Sequence, residues 1–244
     1  MAEDRRGGRN AALARATDYP YAAHPEPFLF RGGRAEPLPA DLRTDHLIPV
    51  IAVGSNRAPL QLARKFERME TAIPVTRLVA RDLDVVHAAH MAGYGAVPAT
   101  LAPAPGTEVE LWVTWLDAAA MRRMDATEAV GVNYAREEQA LEIVTADGPA
   151  PARALVYNAL RGCLSFDGAM VPLAAVPATG RRVPALTQRE VLERLHREAG
   201  STASFERWLH GHIGPTGLLR RKRLTAKLAA GAFRPGRAGG DPIS

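Results

Sequence analysis

The chain has 244 residues, of which 47% are hydrophobic and 23% charged, enough for one large domain or one domain with helical additions. Its net charge is +5 and its one cysteine, Cys163, excludes an internal disulfide and favours a cytoplasmic setting. No apolar run reaches the roughly 18–20 residues of a membrane span, and the charged, Gly-rich first ten residues hold no apolar signal core.

Residues 1–45 are rich in Gly, Pro, Arg and Glu and read as an extended, partly ordered arm. Within it, Tyr19-Pro20-Tyr21-Ala22-Ala23-His24-Pro25-Glu26-Pro27-Phe28 cannot be helical, because proline fixes φ and removes a donor. Its aromatics predict that it docks on the domain. A strand over 48–53 ends in the turn Gly54-Ser55-Asn56. Pro59 suits the first position of a helix, and the apolar period continues it to about residue 69. A strand region follows over 76–91, then a long loop through Pro98 to Gly106. Residues 108–116 alternate, with Val109, Leu111, Val113 and Trp115 on one side, which predicts a strand with one buried face. Asp117 can cap a helix over 118–128. Strands are predicted over 134–145 and 153–160, joined by the turn Asp147-Gly148-Pro149. From Thr187 the period becomes helical: Thr187-Gln188-Arg189-Glu190 is a capping box, and helices are expected over 191–199, 205–213 and 218–228. This order is not a regular βαβ alternation. It argues an α+β fold around a curved mixed sheet, with a sheet domain at 46–180, a helical extension at 181–232 and a flexible tail at 233–244.

Two places carry candidate chemistry. On a helix, Met121, Met124 and Glu128 share a face, so Glu128 is a carboxylate on an apolar stripe, where desolvation favours a general base. The alternative is a glutamate at a fraying helix end that points to water. Asp125 lies on nearly the same face and is the rival carboxylate. The turn Gly54-Ser55-Asn56 leaves backbone N–H groups free at a helix start, where they and the helix dipole bind anions; alone it is also an ordinary strand–helix turn. Elsewhere, His87 and His90 face opposite sides of a predicted strand, and His210 and His212 do not share a helix face. Neither pair has a Cys or carboxylate at ligand spacing, so no metal site is expected. Cys163 reads as a structural thiol. Arg220, Arg221, Lys222, Arg223 and Lys227, followed by Arg234 and Arg237, form a basic cluster. It reads as a solvated helix end rather than a nucleic-acid face, because no aromatics interleave it.

In these residues the chain resembles the γ-glutamylcyclotransferase-like family. The matching elements are Val53-Gly54-Ser55-Asn56, Gly95-Ala96-Val97-Pro98-Ala99-Thr100-Leu101, Gly106-Thr107-Glu108-Val109, Asp125-Ala126-Thr127-Glu128 and Tyr134-Ala135-Arg136, in family order over about 90 to 110 residues. Val53 stands where the family has a tyrosine, and Ala129 where a glycine follows the glutamate. The resemblance implies a small barrel-like mixed sheet with two packed helices and a pocket at the Gly-Ser-Asn turn. It implies Glu128 as acid/base, with Val53, Gly54, Ser55, Asn56, Arg57 and Tyr134 around the substrate. The implied reaction is release of 5-oxoproline from a γ-glutamyl amine or peptide, without metal or organic cofactor. Val53 and Ala129 speak for an alternative, a silent member that binds an anionic small molecule in the same pocket. A third reading is a nucleic-acid-associated protein using the basic helix. On the sequence alone, Glu128→Gln is expected to leave folding almost unchanged.

Overall fold

The computed structural model describes residues 2–67 and 69–235. The chain begins with helix α1 (Ala2–Thr17), followed by strands β1 (Phe28–Arg31), β2 (Arg34–Pro37) and β3 (Ile48–Ile51) and helix α2 (Pro59–Phe66). Two long strands, β4 (Ala72–His87) and β5 (Ala99–Leu116), lead to helix α3 (Ala118–Thr127). Strands β6 (Tyr134–Ala140), β7 (Ile143–Asp147) and β8 (Arg153–Ala159) come next, then three short strands, β9 (Ser165–Phe166), β10 (Ala169–Met170) and β11 (Ala178–Thr179). Helices α4 (Gln188–Glu198), α5 (Phe205–His210) and α6 (Leu218–Ala230) follow.

The architecture is α+β. The main sheet has the order β2-β1-β4-β5-β3-β8-β6, with β11 on β5 and β7 on β4. It is mixed, because β3 and β8 run parallel while the other pairs are antiparallel. The chain passes from β6 into β7, and β7 pairs with β4, so the path β4-β5-β3-β8-β6 returns on itself. That return makes the sheet barrel-like.

The alternation along β5 divides the core as expected. Val109, Leu111, Val113 and Trp115 pack inward with Leu78, Val85 and Val156. On the other face, Trp112 and Leu116 meet Leu62 and Phe66 of α2 and Met121 and Met124 of α3. Each such side chain stabilises the fold by about 1.5–3 kcal/mol relative to exposure. Asp117 caps α3, its Oδ1 accepting from Ala120 N–H at 2.7 Å, and Pro59 stands at the first turn of α2. The capping box at Thr187 and Glu190 is formed. A further cluster joins α1 to the later helices: Ala16 is buried with Met91, Val97, Val191, Leu195 and Leu209.

Four expectations need correction. Residues 2–17 are not extended. The Ala-rich run Ala11-Ala12-Leu13-Ala14 favours helix, and burial of Ala16 anchors it. Residues 28–37 form a hairpin, β1 with β2, around Gly32-Gly33 at φ 55° and 81°, the conformation a tight two-residue hairpin turn requires. Residues 98–106 are not a loop: β5 starts at Ala99. Pro103 pairs with β4 on one edge, while β3 and β11 reach only residues 108–116 on the other, so its missing N–H interrupts no ladder there. Finally, the tail starts ordered, since Phe233 exchanges two backbone hydrogen bonds with Cys163 at 2.9 and 3.0 Å. Residues 236–244, including Arg237, lie outside the described residues.

Candidate functional site

A cavity of about 240 Å³ opens where β3 runs into α2. Val53, Gly54, Ser55, Asn56, Glu128 and Tyr134 all line it. The seventh expected residue, Arg57, does not. Its side chain is buried elsewhere, and its Nη2 donates to the Ala175 carbonyl at 2.7 Å.

Glu128 ends α3. Its Oε1 accepts from Asn56 Nδ2 at 2.8 Å and also receives the Lys65 ammonium in an ion pair. Oε2 has no hydrogen-bond partner among the described residues. Lys65 and Glu128 side chains are 7% and 16% exposed, and the Met124 sulfur lies 3.3 Å from Lys65 Nζ. Glu128 therefore sits in a shielded wall, not at a frayed end in water. The chain turns sharply after it, since Ala129 has φ 51°. That left-handed conformation favours glycine, and here an alanine holds it. The rival Asp125 is engaged elsewhere, accepting from Tyr157 Oη at 2.7 Å and Arg136 Nη1 at 2.5 Å. It does not line the cavity.

Across from Glu128, residues 54–56 enter a single 3-10 turn that leads into α2. The N–H groups of Gly54, Ser55 and Asn56 have no hydrogen-bond partner among the described residues, and the three residues line the cavity. Gly54 is required by a close approach: a Cβ there would lie 2.0 Å from the Tyr19 hydroxyl.

Four tyrosines surround the carboxylate. Tyr19, Tyr94, Tyr134 and Tyr157 line the cavity. Burial raises the pKa of each, and the nearby Glu128 charge adds to the rise. All four therefore remain protonated and can donate. Two of them bracket one residue: Ala99 N–H donates to Tyr19 Oη at 2.9 Å, and Tyr134 Oη donates to the Ala99 carbonyl at 3.3 Å.

His90 stands beside Tyr134, edge to face with ring centroids 5.3 Å apart. Burial lowers its pKa to about 4, with Arg161 adding to the shift, so the imidazole is neutral at neutral pH. Three buried polar atoms on lining residues have no partner among the described residues: Asn56 Oδ1, Gln61 Oε1 and His90 Nδ1. Such orphans call for a ligand or water.

Sequence reasoning missed Lys65, Tyr19, Gln61 and His90. For Lys65 a signal existed, because it lies on the same α2 face as Leu62 and Phe66, a charge on an apolar stripe. His90 was placed on a strand with His87, but β4 ends at His87. Of the remaining candidates, three make contacts that support the fold. Cys163 is a buried thiol whose pKa burial pushes up to about 11. Arg220 and Arg221 donate to the carbonyls of Gly211, His212 and Gly214, holding the end of α5. Among the described residues, no group of three or more His, Cys, Asp or Glu is placed to hold a metal ion, and no helix is long and apolar enough to cross a membrane.

No family model matches the sequence, and no curated protein is significantly similar to it. Among solved structures, the chain is similar to a protein of Arabidopsis thaliana determined in solution, at 14% identity and a TM-score of 0.37, covering 65% of this chain and 88% of that one. A gamma-glutamyl cyclotransferase is similar at 14% identity and a TM-score of 0.36, covering 72% and 99%. An uncharacterized protein from Homo sapiens is similar at 13% identity and a TM-score of 0.34, covering 81% and 94%. At these values the functional reading has to stand on the side chains of the cavity.

Proposed function

We propose that the protein is a cyclotransferase-type enzyme that releases 5-oxoproline from a γ-glutamyl amine or peptide. One observation carries the reading: Glu128, fixed through Oε1 by Asn56 and Lys65, shares a small cavity with the free N–H groups of the Gly54–Asn56 turn.

The charge of the cavity suits the substrate. Lys65 and Glu128 cancel, His90 is neutral and the tyrosines are protonated. The amino-acid end of a γ-glutamyl group is a zwitterion of zero net charge. Its ammonium needs acceptors, which Asn56 Oδ1, Gln61 Oε1 and Glu128 Oε2 can supply. Its carboxylate needs donors, which the Gly54–Asn56 turn supplies. Held at both points, the substrate is folded for attack on itself.

The chemistry is intramolecular aminolysis. The Glu128 carboxylate takes a proton from the substrate α-ammonium. The freed amine attacks the γ-carbonyl carbon, a new C–N bond closes the five-membered ring, and the bond to the leaving amine breaks. Glu128 returns the proton to the leaving amine, and the second proton of the attacking nitrogen, lost as it becomes the ring amide, passes to that amine, which departs as an ammonium.

The decisive assay is 5-oxoproline release from a panel of γ-glutamyl amines and peptides. Turnover by the wild type and its loss in Glu128→Gln support the reading. The Lys65–Glu128 ion pair favours one alternative, a silent protein that binds an anionic small molecule in this cavity with its carboxylate tied to the lysine. Saturable binding without release of 5-oxoproline from any member of the panel would select that alternative.

A further inference from the structure

Tyr19 lies in sequence far from every other residue of the cavity, yet its hydroxyl packs directly on the Gly54–Asn56 turn, 2.0 Å from where a Gly54 Cβ would stand. Its ring is buried between Tyr21 and Tyr94, with centroids 6.1 and 6.4 Å away. The oxygen accepts from Ala99 N–H at 2.9 Å, and this bond fixes its position. A phenol that accepts one hydrogen bond still has its own proton to donate. That proton has no acceptor among the described residues. Tyr134, by contrast, already gives its proton to the Ala99 carbonyl. Tyr19 is thus an O–H donor aimed into a shielded cavity, next to backbone N–H groups that are also free.

We infer that Tyr19 is a substrate-binding residue whose hydroxyl donates to the carboxylate held at the Gly54–Asn56 turn, completing the anion cradle from outside the turn itself. The inference rests on the proposed γ-glutamyl reading for the identity of the carboxylate. Because the donor is fixed by Ala99 and by ring packing, little of its freedom is lost on binding. Its contribution therefore falls on ligands that carry a carboxylate and not on those that lack one.

The test compares 5-oxoproline with 2-pyrrolidinone, the same ring without the carboxylate, by calorimetry on the wild type and Tyr19→Phe. A hydrogen bond to a charged group predicts that Tyr19→Phe weakens 5-oxoproline binding about 10- to 100-fold and leaves 2-pyrrolidinone binding unchanged. A purely structural role for Tyr19 would weaken both alike, and that result overturns the inference, as does unchanged 5-oxoproline binding. If Tyr19→Phe fails to fold, a single fluorotyrosine at position 19 keeps both hydrogen-bonding functions. Its 19F resonance is expected to shift with 5-oxoproline and not with 2-pyrrolidinone; equal shifts, or none, overturn the inference. Turnover measured on the same wild-type preparation separates the two readings. A wild type that releases 5-oxoproline but shows no Tyr19 effect refutes the donor role alone. A wild type that neither turns over γ-glutamyl amines nor binds 5-oxoproline refutes both.

Discussion

Lys65 near the end of α2 and Glu128 at the end of α3 form an ion pair across the two helices that pack on the outside of the sheet. The pair ties the candidate acid/base to the helix that follows the Gly54–Asn56 turn. The two parts of the cavity are thereby joined twice, since Asn56 of the turn also donates to Glu128 Oε1 at 2.8 Å.

Glu128→Gln is expected to lower 5-oxoproline release by about 10² or more, the usual scale for losing a general acid/base. Asp125→Asn is expected to lower it far less, because Asp125 does not line the cavity and its oxygens serve Tyr157 and Arg136. Steady-state assays of the two variants side by side check this. Equal losses would move the catalytic role away from Glu128.

The same substitution is expected to cost folding stability, where the sequence alone implies almost none. Glu128→Gln leaves the buried Lys65 ammonium without its counter-charge. A cost of about 1–3 kcal/mol is expected, below the 3–5 of a fully buried pair because Glu128 faces the cavity. Lys65→Met is expected to cost a similar amount. The double variant Lys65→Met/Glu128→Gln is expected to be more stable than either single one, since no charge is then stranded. Urea denaturation of the three variants checks this; additive losses would mean that the two side chains do not interact.

Ala129 is expected to be a stabilising position for glycine. Its φ of 51° is costly for any residue with a Cβ, by roughly 1 kcal/mol. Glycine's larger entropy loss on folding offsets part of that. Ala129→Gly is therefore expected to raise stability by about 0.5 kcal/mol and to leave the position of Glu128 unchanged. Thermal denaturation measures it, and a destabilised variant would show that the strain is absent.

Acid sensitivity follows from His90. Its pKa falls from 6.5 to about 4 in the folded protein, so between those values the unfolded chain binds more protons. Stability accordingly rises with pH across this window and falls on acidification through it, by up to about 3 kcal/mol from this residue. His87 and His212, whose pKa values burial also lowers, act in the same direction. His90→Gln is expected to flatten the stability profile between about pH 6.5 and 4. An unchanged profile would assign the acid sensitivity to the other two histidines.

The parts of the fold legible in the sequence were those set by local rules. Alternation along β5, the Asp117 cap, Pro59 at the first turn of α2 and the capping box at Thr187 each depend on a few neighbouring residues. The same kind of rule singles out Glu128, as a carboxylate on the helical face of Met121 and Met124, and the cavity includes it. Lys65 and Tyr19 were not legible, because their roles depend on partners at Glu128 and Ala99 that only the fold brings near. Arg57 misled for the converse reason. It adjoins the cradle in sequence, but a side chain as long as arginine is placed by its acceptor, and Ala175 lies away from the cavity.

The packing of α1 has a consequence in time. Tyr19 follows α1 directly, and α1 rests on α4 and α5 through Ala16 and its neighbours. During synthesis the sheet, Glu128 and the cradle can all assemble before α4 and α5 leave the ribosome. Tyr19 itself already meets Ala99 and Tyr94 by then, but α1, which leads into it, lacks its helical partners until they do. The helix that leads to this cavity wall is thus expected to dock last, and a nascent chain stalled before α4 would carry α1 without its helical partners.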